Sequence, residues 1–174
     1  MRENINIVQA GNNDAKMLAE LGAKTFKDAF GAQNNPEDLE RYLHEAFSPE
    51  KMAAELTDPA SSFYVAYQDR SPVGYIKLRT TKIPDCVDDP APLELERIYV
   101  HQHAIGQGVG AALMQQAIAE GKGAGFQTIW LGVWKENAKA ISFYQKWDYE
   151  IVGEHQFVVG TDVQHDYIMA RPLV

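Results

Sequence analysis

Leu93-Glu94-Leu95-Glu96-Arg97-Ile98-Tyr99-Val100 and, four residues on, Ile105-Gly106-Gln107-Gly108-Val109-Gly110-Ala111-Ala112-Leu113 decide the fold. The first run alternates like a strand. The second places glycine at alternate positions, and residues 111–122 then read as a helix. Glycines let the backbone approach a ligand and turn its N–H groups inward. The helix N-terminus adds partial positive charge, so the pair makes a seat for an anion, most naturally a pyrophosphate. The competing reading is a tight strand-to-helix turn with no ligand.

Two known loops are poor matches. A Walker A loop needs Gly-Lys-Ser/Thr, whereas Gly110 precedes Ala111-Ala112-Leu113. The dinucleotide pattern is met by Gly106, Gly108 and Ala111, but His101 to Ile105 intervene after the strand. Trp130-Leu131-Gly132-Val133-Trp134 leads into Lys135 rather than an acid, and little chain remains for a doubly wound domain.

Outward from this stretch, the order is a helical front, a hairpin, then β-loop-α-β-α-β-β. Residues 4–8 form a short strand. Asn13-Asp14 caps a helix carrying Met17, Leu18, Leu21, Ala23, Phe26 and Phe30, and Gly31 stops it. Pro36 starts a second helix, with Leu39, Tyr42, Leu43, Ala46 and Phe47 as its stripe. Ser48-Pro49-Glu50 opens a third helix through Leu56. Residues 62–68 and 73–80 are strands joined by a turn at Asp69-Arg70-Ser71-Pro72. Residues 82–92 are a loop. Residues 126–134, 149–159 and 164–169 are strands, and 138–146 a helix. The class is α/β of the mixed α+β kind, one domain over residues 1–174.

Composition agrees. The chain has 174 residues, 16 basic against 24 acidic, and a formal charge of −8. Hydrophobic residues make up 45% and charged residues 23%, a globular balance. About 70% of the unfolded surface can be buried at this length, enough for a full core. The acidic pI of about 5.1 argues against nucleic acid and suits cationic small molecules. One cysteine, Cys86, suggests a reducing compartment. The start, Met1 to Ile7, has no apolar leader core, and no run approaches a membrane span, so the expectation is cytoplasmic with no membrane partner.

Residues 93–113 and 130–149 resemble motifs A and B of the GCN5-related N-acetyltransferases. Motif A falls on Ile105, Gly108 and Gly110, with Ile105 in place of the usual Arg or Gln. Motif B falls on residues 137–146, and Asp148-Tyr149 replaces the usual Gly-Phe. A closer resemblance, to the PaiA-type polyamine acetyltransferases, rests on Thr25-Phe26-Lys27-Asp28-Ala29-Phe30, Gln33-Asn34-Asn35-Pro36-Glu37, Leu95-Glu96-Arg97-Ile98-Tyr99-Val100 and Ile129-Trp130-Leu131-Gly132-Val133-Trp134. It implies a mixed, mostly antiparallel sheet flanked by helices and splayed where two parallel strands part to admit acetyl-CoA.

The resemblance also implies roles. Acetyl passes directly from acetyl-CoA to an amine. Tyr144 is the general acid, against the alternative of an ordinary packed helix tyrosine. Glu94 or Glu96 accepts the amine proton; both point to one sheet face by alternation, and Ile98 and Val100 are expected to continue it. The alternative is a solvated face or an ion pair with Arg97 or Lys77. Backbone at Ile98, Tyr99 and Val100 pairs with the pantetheine arm, and a bulge there would offer an N–H to the thioester oxygen. Gly106, Gln107, Gly108, Val109, Gly110 and Ala111 seat the pyrophosphate. Asn137 and Lys146 are further cofactor contacts, Lys146 equally well an exposed helix-end cation.

Cys86 has no basic neighbour, so a covalent thioester is not expected. His101 and His103 lack a convincing ligand set, and no metal is expected. Asp85, Asp88 and Asp89 lack EF-hand spacing. Gly121-Lys122-Gly123 reads as a C-cap. Phe26, Asp28, Phe30, Glu37, Asp38 and Tyr42 lie on the two helices expected to overhang the acceptor. The expected acceptor is a small-molecule amine, a polyamine such as spermidine or spermine. Rivals are another small amine (an aminoglycoside or amino acid), a protein N-terminus, a non-catalytic acetyl-CoA sensor and, more remotely, a nicotinamide dehydrogenase. Monomer and homodimer are both open.

Overall fold

Asp69 and Arg70 take φ of 47° and 70°, the type I′ geometry that suits a twisted hairpin. The turn is therefore two residues long, not four, and Ser71 and Pro72 join the second strand. The hairpin is seen in a computed structural model that describes residues 4–159 and 161–174. Met1, Arg2 and Glu3, part of the leader reading, lie outside them.

In chain order the elements are β1 (Ile5–Gln9), α1 (Ala15–Phe30), α2 (Pro36–Ala46), α3 (Pro49–Thr57), β2 (Ser61–Gln68), β3 (Ser71–Arg79), β4 (Leu93–Val100), α4 (Val109–Gly123), β5 (Thr128–Trp134), α5 (Ala138–Lys146), β6 (Glu150–Val159) and β7 (Asp162–Pro172). The seven strands make one sheet in the order β1-β2-β3-β4-β5-β7-β6. All neighbours are antiparallel except β4 and β5. This is the mixed, helix-flanked sheet expected.

Caps explain most helix starts. Asn35 accepts from the N–H groups of Glu37 and Asp38, and Ser48 from Lys51. Asp14 departs from the expected cap: its carboxylate reaches back to the Gly11 N–H at 2.8 Å. Gly31 continues into a short 3-10 turn instead of stopping α1 outright; the Asn34 side chain donates to Phe30 O at 2.8 Å. α4 ends at Gly123. The Phe126 N–H bonds Gly121 O and the Gly125 N–H bonds Lys122 O, with Gly125 at φ +84°. That Schellman pattern moves the stop past the expected cap.

Two cores cover the sheet. Leu93, Leu95, Ile98 and Val100 of β4 pack with Val109, Leu113 and Met114 of α4. On the other face, Leu18, Leu21 and Phe26 of α1 meet Met52, Phe63 and Tyr75, with Tyr99 of β4 beside them. Val87, from the 82–92 loop, joins Trp130 and Ile168 in a smaller cluster.

One irregularity governs β4. Lys77 pairs with Arg97, but Leu78 pairs with Leu95, so Glu96 is the extra residue of a bulge. The bulge flips the alternation. Ile98 and Val100 therefore lie on the Leu93–Leu95 face, not on the glutamate face as expected, and Tyr99 points to α1. The bulge sits at Glu96, just ahead of the residues expected to carry it. Charge holds it. Lys77, 3% exposed, has its Nζ 2.9 Å from Glu55 and 2.6 Å from Glu96. Arg97 grips Glu55 with two bonds of 3.0 and 3.1 Å. A buried ammonium needs such partners.

Burial pushes the Glu55 carboxyl up, but Arg97 and Lys77 outweigh it and leave it below its ordinary value of 4.5. A carboxyl lowered in the folded state stabilises the fold above its unfolded value and loses that contribution as pH falls through the folded one. Glu55→Gln should lower urea stability by about 2 kcal/mol, since Glu96 still faces both cations. It should also flatten the loss of stability of the native protein below pH 4.5. An unchanged acid limb in urea titrations would remove Glu55 from this role.

Candidate active site

β4 and β5 pair only at Leu93 with Ile129 and Glu94 with Trp130. Beyond Glu94 they part, and β4 keeps hydrogen-bonding only to β3. The parting opens a cleft of about 670 Å³, lined from β4 by residues 94–100, from β5 by Trp130 and residues 132–134, and from α5 by Ala140 and Tyr144. α1 and α2 roof it with Phe26, Phe30 and Tyr42. The Phe30 ring lies 6.3 Å from Tyr99 and 6.4 Å from Trp134, edge-on to both, so it spans the gap between the strands. The β6–β7 hairpin is tied to the roof: Thr161 Oγ1 donates to Asp38 at 2.8 Å and Gln164 to Asn34 at 3.0 Å. Asp28 lines the cleft, whereas Glu37 and Asp38 do not.

Tyr144 reaches the cleft from α5, which Asn137 starts by accepting the Ala140 N–H at 3.2 Å. Tyr144 is 8% exposed and packs against the Phe143 and Tyr149 rings at 5.6 and 5.9 Å. Burial holds its phenol well above the usual tyrosine range, so it stays protonated and able to donate. Asn137 lines the cleft while serving as the cap.

The glycine loop adjoins the cleft at Ile105, which lines it and is half exposed. Gly106 and Gly108 take φ of +85° and +88°, which a larger residue would strain to adopt. α4 begins at Val109, two residues earlier than read from sequence, because Gly110 fits in its first turn beside the Phe143 ring. With glycine at the N-cap no side chain satisfies the first turn, and the N–H groups of Val109, Gly110 and Ala111 have no intrahelical acceptor. Gln107 acts through its side chain: it accepts from Gln68 at 3.0 Å and donates to His103 O at 3.0 Å, which pins the loop. These donors fit a pyrophosphate. Lys146 is exposed at the end of α5, outside the cleft lining.

Both glutamates line the cleft, but both carry ion pairs. Arg79 Nε sits 2.5 Å from Glu94 and its Nη1 3.1 Å from Glu96. Glu96 also faces Lys77 at 2.6 Å and Arg97 at 3.7 Å. The ion-pair alternative is thus realised, with Arg79 as an added partner. Glu94 is 6% exposed, and burial raises its carboxyl above the ordinary value despite Arg79. A carboxylate so raised accepts a proton more readily than a solvated one.

Sequence reading missed the far wall. Asp166 of β7 and His155 of β6 oppose each other across the hairpin and line the cleft. Asp166 is 8% exposed, and its Oδ1 is buried with no hydrogen-bond partner among the described residues. Burial raises its carboxyl; His155 and His165 act against that. Both side chains lie over Gly132, where a Cβ would meet the His155 ring at 3.0 Å and Asp166 Oδ2 at 3.6 Å. A signal existed: Asp166 alternates with Ile168 and Ala170, a carboxylate running into apolar positions. Cys86 lies elsewhere, against Gly153, and the His101 and His103 rings meet at 4.1 Å, tilted by 52°. Among the described residues no group of three metal-ligating side chains forms, and no helix is long and apolar enough to cross a membrane.

Comparison with known proteins gives this architecture its relatives. An uncharacterized N-acetyltransferase of Lactobacillus delbrueckii is 34% identical over 170 residues, 98% of each chain. A spermidine N(1)-acetyltransferase of Thermoplasma acidophilum is 25% identical over 146 residues, 82% of this chain and 86% of its own. Among solved structures, the PaiA N-acetyltransferase of Thermoplasma acidophilum in complex with coenzyme A superposes with a TM-score of 0.77 at 22% identity, covering 97% of this chain and 99% of that one. Residues 24–149 match the Acetyltransferase (GNAT) family, and the chain belongs to it.

Proposed function

We propose that the protein transfers the acetyl group of acetyl-CoA directly to a primary amine of a polyamine such as spermidine or spermine. The observation that carries the proposal is the parting of β4 and β5 beside an uncapped helix N-terminus, with Tyr144 in the gap. The coenzyme A complex of the structurally similar PaiA protein and the spermidine activity named for the Thermoplasma relative support it.

Backbone groups of Ile98, Tyr99 and Val100, free on the β5 side, would pair with the pantetheine arm like an added strand. The N–H groups of Gly108, Val109, Gly110 and Ala111 would face the pyrophosphate. The amine enters on the opposite side, beneath α1 and α2. Glu94 takes one proton from the incoming ammonium. The neutral nitrogen attacks the thioester carbon, and N–H groups at the β4 bulge face the oxyanion. The carbon–sulfur bond breaks, and Tyr144 gives its proton to the thiolate. The nitrogen's second proton restores the phenol, and the third stays in the amide.

Tyr144→Phe should lower kcat about 100-fold or more while acetyl-CoA binding holds. Unchanged turnover would take the acid role from Tyr144. Gly108→Glu puts a carboxylate in the anion seat and should weaken acetyl-CoA binding about tenfold or more. Normal binding by a folded variant would refute the loop assignment. The wild-type test is thiol release from acetyl-CoA across amines. Saturable turnover with spermidine or spermine is expected; turnover confined to other amines would discard the polyamine.

A further inference from the structure

The acceptor half of the cleft holds a buried carboxylate oxygen, Asp166 Oδ1, with no hydrogen-bond partner among the described residues. Glu94 and Glu96 are matched by Arg79 and Lys77. Asp166 is more than nine-tenths buried, and its Oδ1 receives no hydrogen bond among the described residues. An unmet carboxylate oxygen is costly in the apo protein and calls for a cationic donor. Asp166 pairs across the sheet with Trp134, four residues past the last β4–β5 contact at Trp130. At roughly 3.3 Å per residue it lies about 13 Å along β5 from the point of parting. The Phe30 and Trp134 rings stand at that end of the cleft, suited to methylene groups and to cation–π contact with an ammonium. Gly132 keeps the floor open beneath.

We infer that Asp166 seats a second, non-reacting ammonium of the acceptor, so that the site selects diamines and polyamines over monoamines. The inference rests on the acetyltransferase reading above and adds the residue that sets its preference. Asp28, on α1, lines the same cleft, but its Oδ1 already holds Lys24 at 3.0 Å, and the inference rests on Asp166.

The test compares putrescine and spermidine with n-butylamine, which has the same reacting group and no second charge. Asp166→Asn should lower kcat/KM for putrescine and spermidine about tenfold or more while n-butylamine stays within about twofold. Coenzyme A affinity should be unchanged, which also reports that the variant is folded. Asp166→Ser repeats the comparison if the asparagine variant does not fold. Equal losses on all three amines would make Asp166 a partner of the reacting nitrogen and overturn the inference. No loss on any of them overturns it too. Calorimetry of the same amines with the coenzyme A complex separates the layers. If wild type binds coenzyme A but neither binds nor acetylates any amine, the amine reading itself fails and takes this inference with it.

Discussion

Two residues of parallel pairing hold the site together and then release it. β4 and β5 share hydrogen bonds only at Leu93–Ile129 and Glu94–Trp130. Past that point an interior sheet has strands with backbone donors and acceptors aimed into a gap. Such groups need partners. In this chain the unpaired length of β4 ends near the uncapped start of α4, so strand edge and helix N-terminus offer continuous backbone hydrogen bonding. A ligand with an amide-bearing arm and a pyrophosphate matches that order of donors.

The bulge at Glu96 makes the arrangement possible. It reverses the side-chain parity within one strand, so Leu93, Leu95, Ile98 and Val100 all feed the α4 core while Tyr99 faces α1. Without it Ile98 and Val100 would turn toward α1 and Tyr99 toward the α4 core. The cations around Glu96 hold the irregular backbone in place. They also tie up Glu96 with three cations, whereas the described ion pair of Glu94 is with Arg79.

The cleft has two unlike sides. The α4–α5 side is backbone and one buried phenol, suited to a ligand read by shape and phosphate charge. The α1–α2 side is aromatic and acidic, with Phe26, Phe30 and Tyr42 above and Asp166 across from them. The ties from Thr161 and Gln164 to Asp38 and Asn34 join the hairpin to the roof. That side is therefore built from segments 123 and 130 residues apart in the chain.

Local patterns by themselves determined the elements, their order, the glycine loop before α4 and the place of Tyr144 on α5. Those signals are carried by neighbours: alternation, 3.6-residue spacing, caps at Asn35 and Ser48, and glycines that need positive φ. Tertiary structure alone decided the rest. The Glu96 bulge depends on how β4 registers against β3, and one added residue inverts every later side chain. Glu94 and Glu96 meet Arg79 from β3, and Glu96 shares Lys77 and Arg97 with Glu55 from α3, all brought together by packing. The hairpin closed on two residues because Asp69 and Arg70 accept left-handed backbone that strand twist favours. Asp166 came to line the cleft only when β7 was laid beside β5, with its Oδ1 buried and without a hydrogen-bond partner among the described residues. Pairings across such distances depend on the closure of the whole sheet, and no spacing along the chain encodes them.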